Sequence, residues 1–386
     1  MTEKEDLRKL LDKKEFSGSS PPEVFVGREN YPYVQAGILA PVKMGETNNF
    51  SSPEYWFKKQ ASIQEIVSYR NQLIYSKFNT NIKNAPNLED SQSHSIDNKK
   101  FLKNMALVSM ASRSLDIDFK LKRLPTLRQI KEPSVPIIGN PAPLEDIKIQ
   151  ENPKIHTKID YVVNDSKLKA SEAIKILYRN NIEISHITKI LSAGLIGLRI
   201  NRKLVPTRWS ITATDDTISK NMLTTIKDFQ DLNDILLFHG EYVGNHYEIL
   251  LLPNKFEFEV IEISSSTRGI WKDYESFQGR KNYADSVTGA YYVNRLALSE
   301  YLLKIKKQCS CIFFREVKPE YNAPLGVGIL RELSRSCFQK TPESFQTIQE
   351  ALNKMQERIT IPISNYTFNS KILKDYGKQK RLNQWL

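Results

Sequence analysis

Prolines at positions 133, 136, 141, 143 and 153 interrupt this 386-residue chain. Each lacks a backbone donor and biases the residue before it toward extended backbone, so no regular element is predicted across the stretch. The stretch reads instead as a connector, residues 131–156, between an N-terminal region (1–130) and a C-terminal region (157–366), with a flexible basic tail over 367–386. With 40% hydrophobic residues, a chain of this length can bury a core in each region. No window approaches the roughly 20 apolar residues of a membrane span, and the opening Met1–Asp6 alternates charge where a signal peptide would be apolar. The expectation is a cytoplasmic protein with no membrane partner.

Periodicity supplies the elements. Val24–Val26 reads as a short strand, and Ser52-Pro53-Glu54 as an N-cap followed by proline at the first helical position, with helix predicted to about residue 76. A polar segment, 79–98, predicts an exposed loop, and Phe101, Leu102, Met105 and Val108 predict a helix over about 99–112. Helices are predicted over 166–180 and 185–192, a pair that is either a helix-turn-helix with His186 and Lys189 as readers or a plain helical hairpin. Next come a strand at 209–213, a helix carrying Ile218, Met222, Ile226 and Phe229, and strands near 247–252 and 256–263. The second of those strands, with alternating Phe and Glu, reads as a half-buried edge. Helices follow at 290–306, at 328–338 and after Thr341-Pro342-Glu343, and periodicity fades beyond Ile363. The fold class is therefore mixed α/β (α+β): two packed regions with helices around a mainly antiparallel or mixed sheet.

The last eight residues, Gln379-Lys380-Arg381-Leu382-Asn383-Gln384-Trp385-Leu386, place Leu382 and Trp385 three apart, so one 3₁₀ turn puts both on one side with Leu386 beside them. An apolar plug of this kind, presented on a basic tail, asks for a receptor pocket. The arrangement resembles the box that binds the sliding clamp PCNA, with Gln379 for a small polar pocket and the plug for a larger one. It departs from that box at Leu386, where a second aromatic is usual. The alternative is a tail that folds back on its own body.

Several strings resemble the archaeal Nre DNA repair family: Gly18-Ser19-Ser20-Pro21-Pro22-Glu23-Val24-Phe25-Val26-Gly27-Arg28, Tyr31-Pro32 with Gly37, and Leu204-Val205-Pro206-Thr207-Arg208-Trp209-Ser210-Ile211-Thr212-Ala213. Further strings are Gly279-Arg280-Lys281-Asn282-Tyr283-Ala284, Gly289-Ala290-Tyr291-Tyr292 and Pro324-Leu325-Gly326-Val327. The resemblance implies a DNA-damage role and a C-terminal clamp-binding motif, with DNA and the PCNA clamp as partners. Some relatives carry a cysteine-rich, zinc-ribbon-like N-terminus; this chain has no Cys before Cys309, so that metal role does not transfer.

The residues themselves leave the chemistry open. A formal net charge of +12 favours a polyanionic partner if clustered, and Lys120, Lys122, Arg123 and Arg128 are the candidate DNA-backbone patch. Ser19, Ser20 and Arg28 form either an anion site or a structural turn; Arg208, Trp209 and Ser210 form either a nucleotide pocket or part of a core. Asp215 and Asp216 either hold a divalent cation or cap a helix. Arg280, with Asp273, Tyr274 and Tyr283, either completes that pocket or belongs to a surface loop. Thus Ser19, Ser20, Arg28, Arg208, Ser210, Asp215, Asp216 and Arg280 are the candidate anion or nucleotide pocket. His239, Glu241, His246 and Glu248 lack a diagnostic metal spacing, and Cys309, Cys311 and Cys337 read as reduced core thiols. No cofactor or metal is called for, and no signature names a catalytic residue. The leading expectation is a DNA repair protein recruited by the clamp; the alternatives are a nucleotide- or nucleic-acid-processing enzyme and a non-catalytic repair adaptor.

Overall fold

The computed structural model describes residues 11–86, 98–127 and 138–378. Two compact units are present, residues 1–218 with 323–325, and residues 219–322 with 326–386.

The first unit opens with strands β1 (Glu15–Ser20), β2 (Val24–Val26) and β3 (Tyr33–Pro41), helices α1 (Pro53–Lys58) and α2 (Ile63–Asn71), and strand β4 (Leu73–Asn81). Helix α3 (Lys99–Met110), strands β5 (Leu115–Leu121) and β6 (Asn140–Ile149), and helices α4 (Thr157–Asn164), α5 (Ala170–Arg179) and α6 (Ile184–Ser192) follow, and then α7 (Thr207–Ile226), which belongs to this unit through Ile218 and to the second from Ser219. Its sheet runs β1-β5-β6-β4-β3-β2, antiparallel except for the β4–β6 pair. The sheet curls until β1 returns to the end of β3: the Ser19 N–H donates to the Lys43 carbonyl at 2.8 Å and the Ser20 hydroxyl to Leu39 at 2.8 Å. That approach requires Gly18, because a Cβ there would lie 2.0 Å from the Pro41 carbonyl oxygen.

Several expectations give way here. The helix predicted from 53 to about 76 is two helices and a strand. Gln60 adopts a left-handed conformation after α1, and a capping box between Ser62 and Glu65 starts α2. The aromatic and branched residues after Gln72 then enter β4 between β3 and β6. In the described part of the proline stretch a regular element does form, since β6 runs through Pro141 and Pro143, while Pro133 and Pro136 lie outside the described residues. Asn140 and Ala142 alternate with the prolines beside β4, while the proline carbonyls accept from Thr126 at 3.0 Å and Lys122 at 2.9 Å past the end of β5. The missing proline donors therefore face a side where β5 has already ended.

Helix α6 is no groove reader. The His186 Nε2–H donates to the Ser109 carbonyl at 2.9 Å, and burial pulls its pKa down to about 4. The Lys189 ammonium pairs with the buried Glu23 at 2.7 Å. Both supposed readers are spent inside the unit, leaving the plain helical hairpin. The predicted strand at 209–213 is the start of α7, whose buried stripe of Ser210, Thr214, Ile218, Met222 and Ile226 has the spacing of four that a helix requires.

In the second unit, strands β7 (Gln230–Asp231), β8 (Ile235–Tyr242), β9 (Asn245–Leu252), β10 (Glu257–Ser264) and β11 (Ile270–Glu275) precede helix α8 (Gly289–Ile305). After it come β12 (Lys307–Gln308), β13 (Ser310–Val317), α9 (Val327–Cys337), β14 (Glu343–Phe345), α10 (Ile348–Gln356), α11 (Ile363–Asn369) and α12 (Lys371–Asp375). The main sheet is β11-β10-β13-β9-β8-β14, with β10 and β13 parallel. One face packs Leu250, Ile261, Ile312 and Phe314 against Met355 and Tyr366, each buried aliphatic contributing about 1.5–3 kcal/mol. On the other, Phe258 meets Tyr291 of α8 at 4.9 Å and Phe313 meets Phe338 at 6.0 Å.

Pairing with β11 on one side and β13 on the other makes β10 an interior strand and not the predicted edge, and coverage on both faces buries it fully. Its buried carboxylates are answered from elsewhere: Glu262 pairs with Arg315 at 2.8 Å, and Glu259 accepts from Ser370 at 2.6 Å. The helix predicted after Thr341 starts later, where Thr347 and Glu350 form the capping box of α10. The three cysteines are buried and unpaired, and burial pushes the Cys337 thiol up to about 12. Among the described residues no helix is long and apolar enough to cross a membrane.

Candidate nucleic-acid interface

The β2–β3 hairpin of the first unit ends in an exposed tip at residues 28–33. Gly27 N–H donates to Gln35 at 2.8 Å, Asn30 turns the chain at φ 58°, and Tyr33 N–H closes onto Asn30 at 2.8 Å. Asn tolerates that left-handed conformation better than most residues, so the turn is local chemistry. Below the tip, the Val26 N–H donates to the Thr207 hydroxyl at 2.9 Å, and Thr207 lies 3.0 Å from the Ser192 hydroxyl. Thr207 is the first residue of α7, so the hairpin is fastened to the start of that helix.

The fastening brings Tyr31 and Trp209 together, with ring centroids 5.2 Å apart and planes tilted by 54°. Both rings remain in water, 45% and 44% exposed. Arg28, three residues before Tyr31, and Arg208, directly before Trp209, are both exposed, and among the described residues neither guanidinium has a carboxylate within ion-pair distance. Helix N-termini carry partial positive charge, so the start of α7 adds to the cationic character of the surface.

A cavity of about 250 Å³ opens in the same unit, lined in part by Lys83, Asn164, Ser166, Arg199, Ile200 and Arg202. The chain that borders it also supports the tip: the Ile82 N–H donates to Pro32 at 3.0 Å, and the Leu204 N–H donates to Ile82 at 2.8 Å. Arg202 spends its fork on the carbonyls of Gly197, Val163 and Asp165 at 2.8–3.0 Å, so it shapes the cavity.

The other sequence candidates have separate placements. The Ser19 hydroxyl donates to Asp116 and accepts from the Gly45 N–H at 2.7 Å; that of Ser20 donates to Pro21 and Leu39 carbonyls at 2.8 Å. Ser210 is buried and donates to the Thr207 carbonyl at 2.9 Å, and Asp215 and Asp216 lie buried midway along α7. Arg280 belongs to the second unit, pairing with Asp273 at 2.9 Å and donating to the carbonyls of Tyr274, Asn282 and Tyr283 at 2.9–3.3 Å. Of the eight candidate pocket residues, Arg28 lies on the tip and Arg208 and Ser210 at the start of α7, two segments joined by the hydrogen bond from Val26 to Thr207. In the backbone patch, Lys122 and Arg123 are exposed and Lys120 pairs with Glu145 at 3.1 Å and Glu15 at 3.7 Å. Arg128 lies outside the described residues, as do Gln379, Leu382, Trp385 and Leu386.

In the second unit, both ring nitrogens of His246 meet carboxylates, Glu241 at 3.0 Å and Glu248 at 2.8 Å. Burial pulls this imidazole down, but the hydrogen bonds to Glu248 and Glu241 outweigh it and raise the pKa. Arg358, which no sequence pattern singles out, completes the group by clasping Glu248. Among the described residues no three His, Cys, Asp or Glu side chains come together in a metal-holding cluster.

Comparison with known proteins decides the relationship. A family model described as "Archaeal Nre, N-terminal" matches residues 1–272, and one described as "Archaeal Nre, C-terminal" matches residues 275–385. The chain belongs to the archaeal Nre family. It is 31% identical to the DNA repair protein NreB of Archaeoglobus fulgidus over 96% of this chain and 91% of that relative. It is 33% identical to NreA of the same organism, over 88% and 84%, and 29% identical to NreA of Haloferax volcanii, over 90% and 84%. Both NreA proteins are also named as DNA repair proteins. No solved structure matches.

The strings that resemble Nre proteins now have physical roles. The first forms the end of β1, β2 and the start of the tip, and Leu204–Ala213 leads into and begins α7; these two meet at the hydrogen bond from Val26 to Thr207, and Tyr31 of the next string meets Trp209. Gly37 lets β3 lie against β4, because a Cβ there would sit 2.2 Å from the Ser76 carbonyl oxygen. In the second unit, the Tyr292 hydroxyl accepts from the Ala284 N–H at 2.8 Å, tying two further Nre-like strings together.

Proposed function

We propose that this Nre protein acts in DNA repair and is delivered to DNA by the sliding clamp PCNA, which it grips through Gln379, Leu382, Trp385 and Leu386. The observation that carries the reading is the C-terminal string itself: a glutamine, an aliphatic residue three positions on and a bulky pair at six and seven, in a chain whose relatives are named DNA repair proteins. Tethering by the tail raises the effective concentration of the body at DNA, so the body needs only modest affinity of its own. Lys122 and Arg123 supply phosphate contacts, with Lys120 held between two carboxylates and Arg128 as the fourth member of the patch.

The test is retention of the full chain on immobilised clamp. Leu382→Ala and Trp385→Ala each reduce retention at least tenfold, and retention equal to that of the unaltered chain in both variants refutes docking through the plug. For the patch, Lys122→Ala with Arg123→Ala lowers duplex affinity and flattens its salt dependence; an unchanged slope removes these residues from the DNA contact.

A further inference from the structure

We propose that Tyr31 and Trp209 form a stacking platform for an unpaired base of single-stranded DNA, with Arg28 and Arg208 receiving the flanking phosphates. The inference takes its ligand class from the repair reading but owes nothing to the clamp-binding tail.

Folding alone gives little reason for this surface. Large aromatic rings stabilise a protein by burial, yet both rings keep almost half of their area in water while touching each other at 5.2 Å. They are not loose side chains. The hydrogen bonds from Val26 to Thr207 and from Thr207 to Ser192 hold the tip and the helix start in register, and the Ile82 N–H braces Pro32. A rigid, exposed and paired aromatic surface is the form that base stacking requires, because every base offers a π face and little ordering is needed on the protein side.

The charges choose the occupant. Arg28 adjoins the tip three residues before Tyr31, Arg208 directly precedes Trp209, and among the described residues neither has a carboxylate partner. A peptide partner would use the rings but leave two guanidiniums uncompensated, whereas a nucleic-acid strand brings phosphates at each side of the stacked base. Glu29 is the one acid of the tip, and it is exposed beside Arg28. Two residues beyond Tyr31, the exposed ring of Tyr33 and the Gln35–Lys77 pair at 2.9 Å continue a polar and aromatic surface along β3 and β4. A double helix buries its base faces in its own stack and cannot use such a platform, so the preference is for single strands, ends or unpaired gaps.

The experiment measures fluorescence anisotropy of labelled oligo(dT) and of a blunt duplex of equal length, with the full chain, without clamp. The unaltered chain binds oligo(dT); Trp209→Ala and Tyr31→Ala each weaken that binding at least tenfold, while Trp209→Phe stays within about threefold of the unaltered chain. Arg28→Ala with Arg208→Ala reduces the slope of log affinity against log salt by about 1.4, the release of two single-strand counterions. Melting temperatures equal to that of the unaltered chain, together with normal clamp retention, separate loss of the platform from loss of the fold or of the tail. Oligo(dT) binding that is absent in the unaltered chain, or unchanged in both alanine variants, overturns the platform. So does equal weakening of duplex binding. Clamp retention lost in Leu382→Ala with oligo(dT) affinity intact supports the platform as an independent contact.

Discussion

Arg358 clasps the buried carboxylate of Glu248 with two parallel hydrogen bonds, Nε to Oε1 and Nη2 to Oε2, each 2.8 Å long. Glu248 is fully inside the second unit on β9, and Arg358 also reaches Glu343 at 2.5 Å. A two-pronged pair of this kind fixes geometry as well as charge, and removing one partner strands the other in a poor solvent for ions. Arg358→Ala is expected to destabilise the protein by about 3 kcal/mol or more, read as a lower melting temperature in calorimetry. The double change Arg358→Met with Glu248→Leu costs less than Arg358→Ala alone, because no buried carboxylate is left unanswered.

His246 shares the same Glu248 and adds a pH dependence. Its folded pKa is raised above the usual 6.5 by Glu248 and Glu241 in excess of the burial that opposes it. Around it stand those two carboxylates, the Lys318 ammonium on Glu241 at 2.7 Å and the Arg358 guanidinium on Glu248. A raised histidine stabilises the folded state fully below its unfolded pKa, and the contribution fades as pH climbs through the folded value. The melting temperature of the unaltered chain, relative to that of His246→Gln, is therefore expected to decline as pH climbs from about 6.5 into the alkaline range. A difference that is flat over that range contradicts the assignment of a charged imidazolium.

Ser19 distinguishes a structural turn from an anion site. Its hydroxyl donates to Asp116 and accepts from Gly45 where β1 returns to β3. Ser19→Ala leaves both partners short of a hydrogen bond and is expected to cost about 1–3 kcal/mol of stability. Oligo(dT) affinity of the refolded variant should match that of the unaltered chain, since the platform residues do not touch this hydroxyl. Weakened DNA binding at full stability would assign Ser19 to the ligand.

The sequence showed its helices best where an apolar stripe was strong. Lys99–Met110 and Val327–Cys337 were legible that way, whereas Gly289–Ile305, buried on nearly every side over its first three turns, was legible from its apolar length. Helix α7 was not, because the first half of its buried stripe is Ser210 and Thr214 while Trp209 and Ile211 flank it in an apolar alternation that imitates a strand. Strand β10 hid for the opposite reason: Glu259 and Glu262 looked like solvent-facing positions, and their partners Ser370 and Arg315 lie far along the chain. The same remoteness limited the site. Arg28, Arg208 and Trp209 stood out by residue type, but it takes the folded contacts, the hydrogen bond from Val26 to Thr207 and the Tyr31–Trp209 ring contact, to show that the tip and the helix start are neighbours. Tyr31 carried no separate signal beyond its place in an Nre-like string.

The final helix depends on a side chain from the sheet. Glu259 of β10 accepts from the Ser370 hydroxyl at 2.6 Å, the Lys371 N–H at 2.7 Å and the Ile372 N–H at 3.1 Å, so one carboxylate satisfies the opening donors of α12. A five-residue helix has too few internal bonds to persist alone, and Ile372 in the core provides its other anchor. Glu259→Ala is expected to speed amide exchange at residues 371–373 at least tenfold, while Glu259→Gln, which keeps one acceptor, lies between. Clamp retention should be unaffected in both, because Gln379 and the plug beyond it make their own contacts in the proposed docking. Exchange that stays slow in Glu259→Ala would mean that core packing by Ile372, Leu373 and Tyr376 holds α12 in place without the carboxylate.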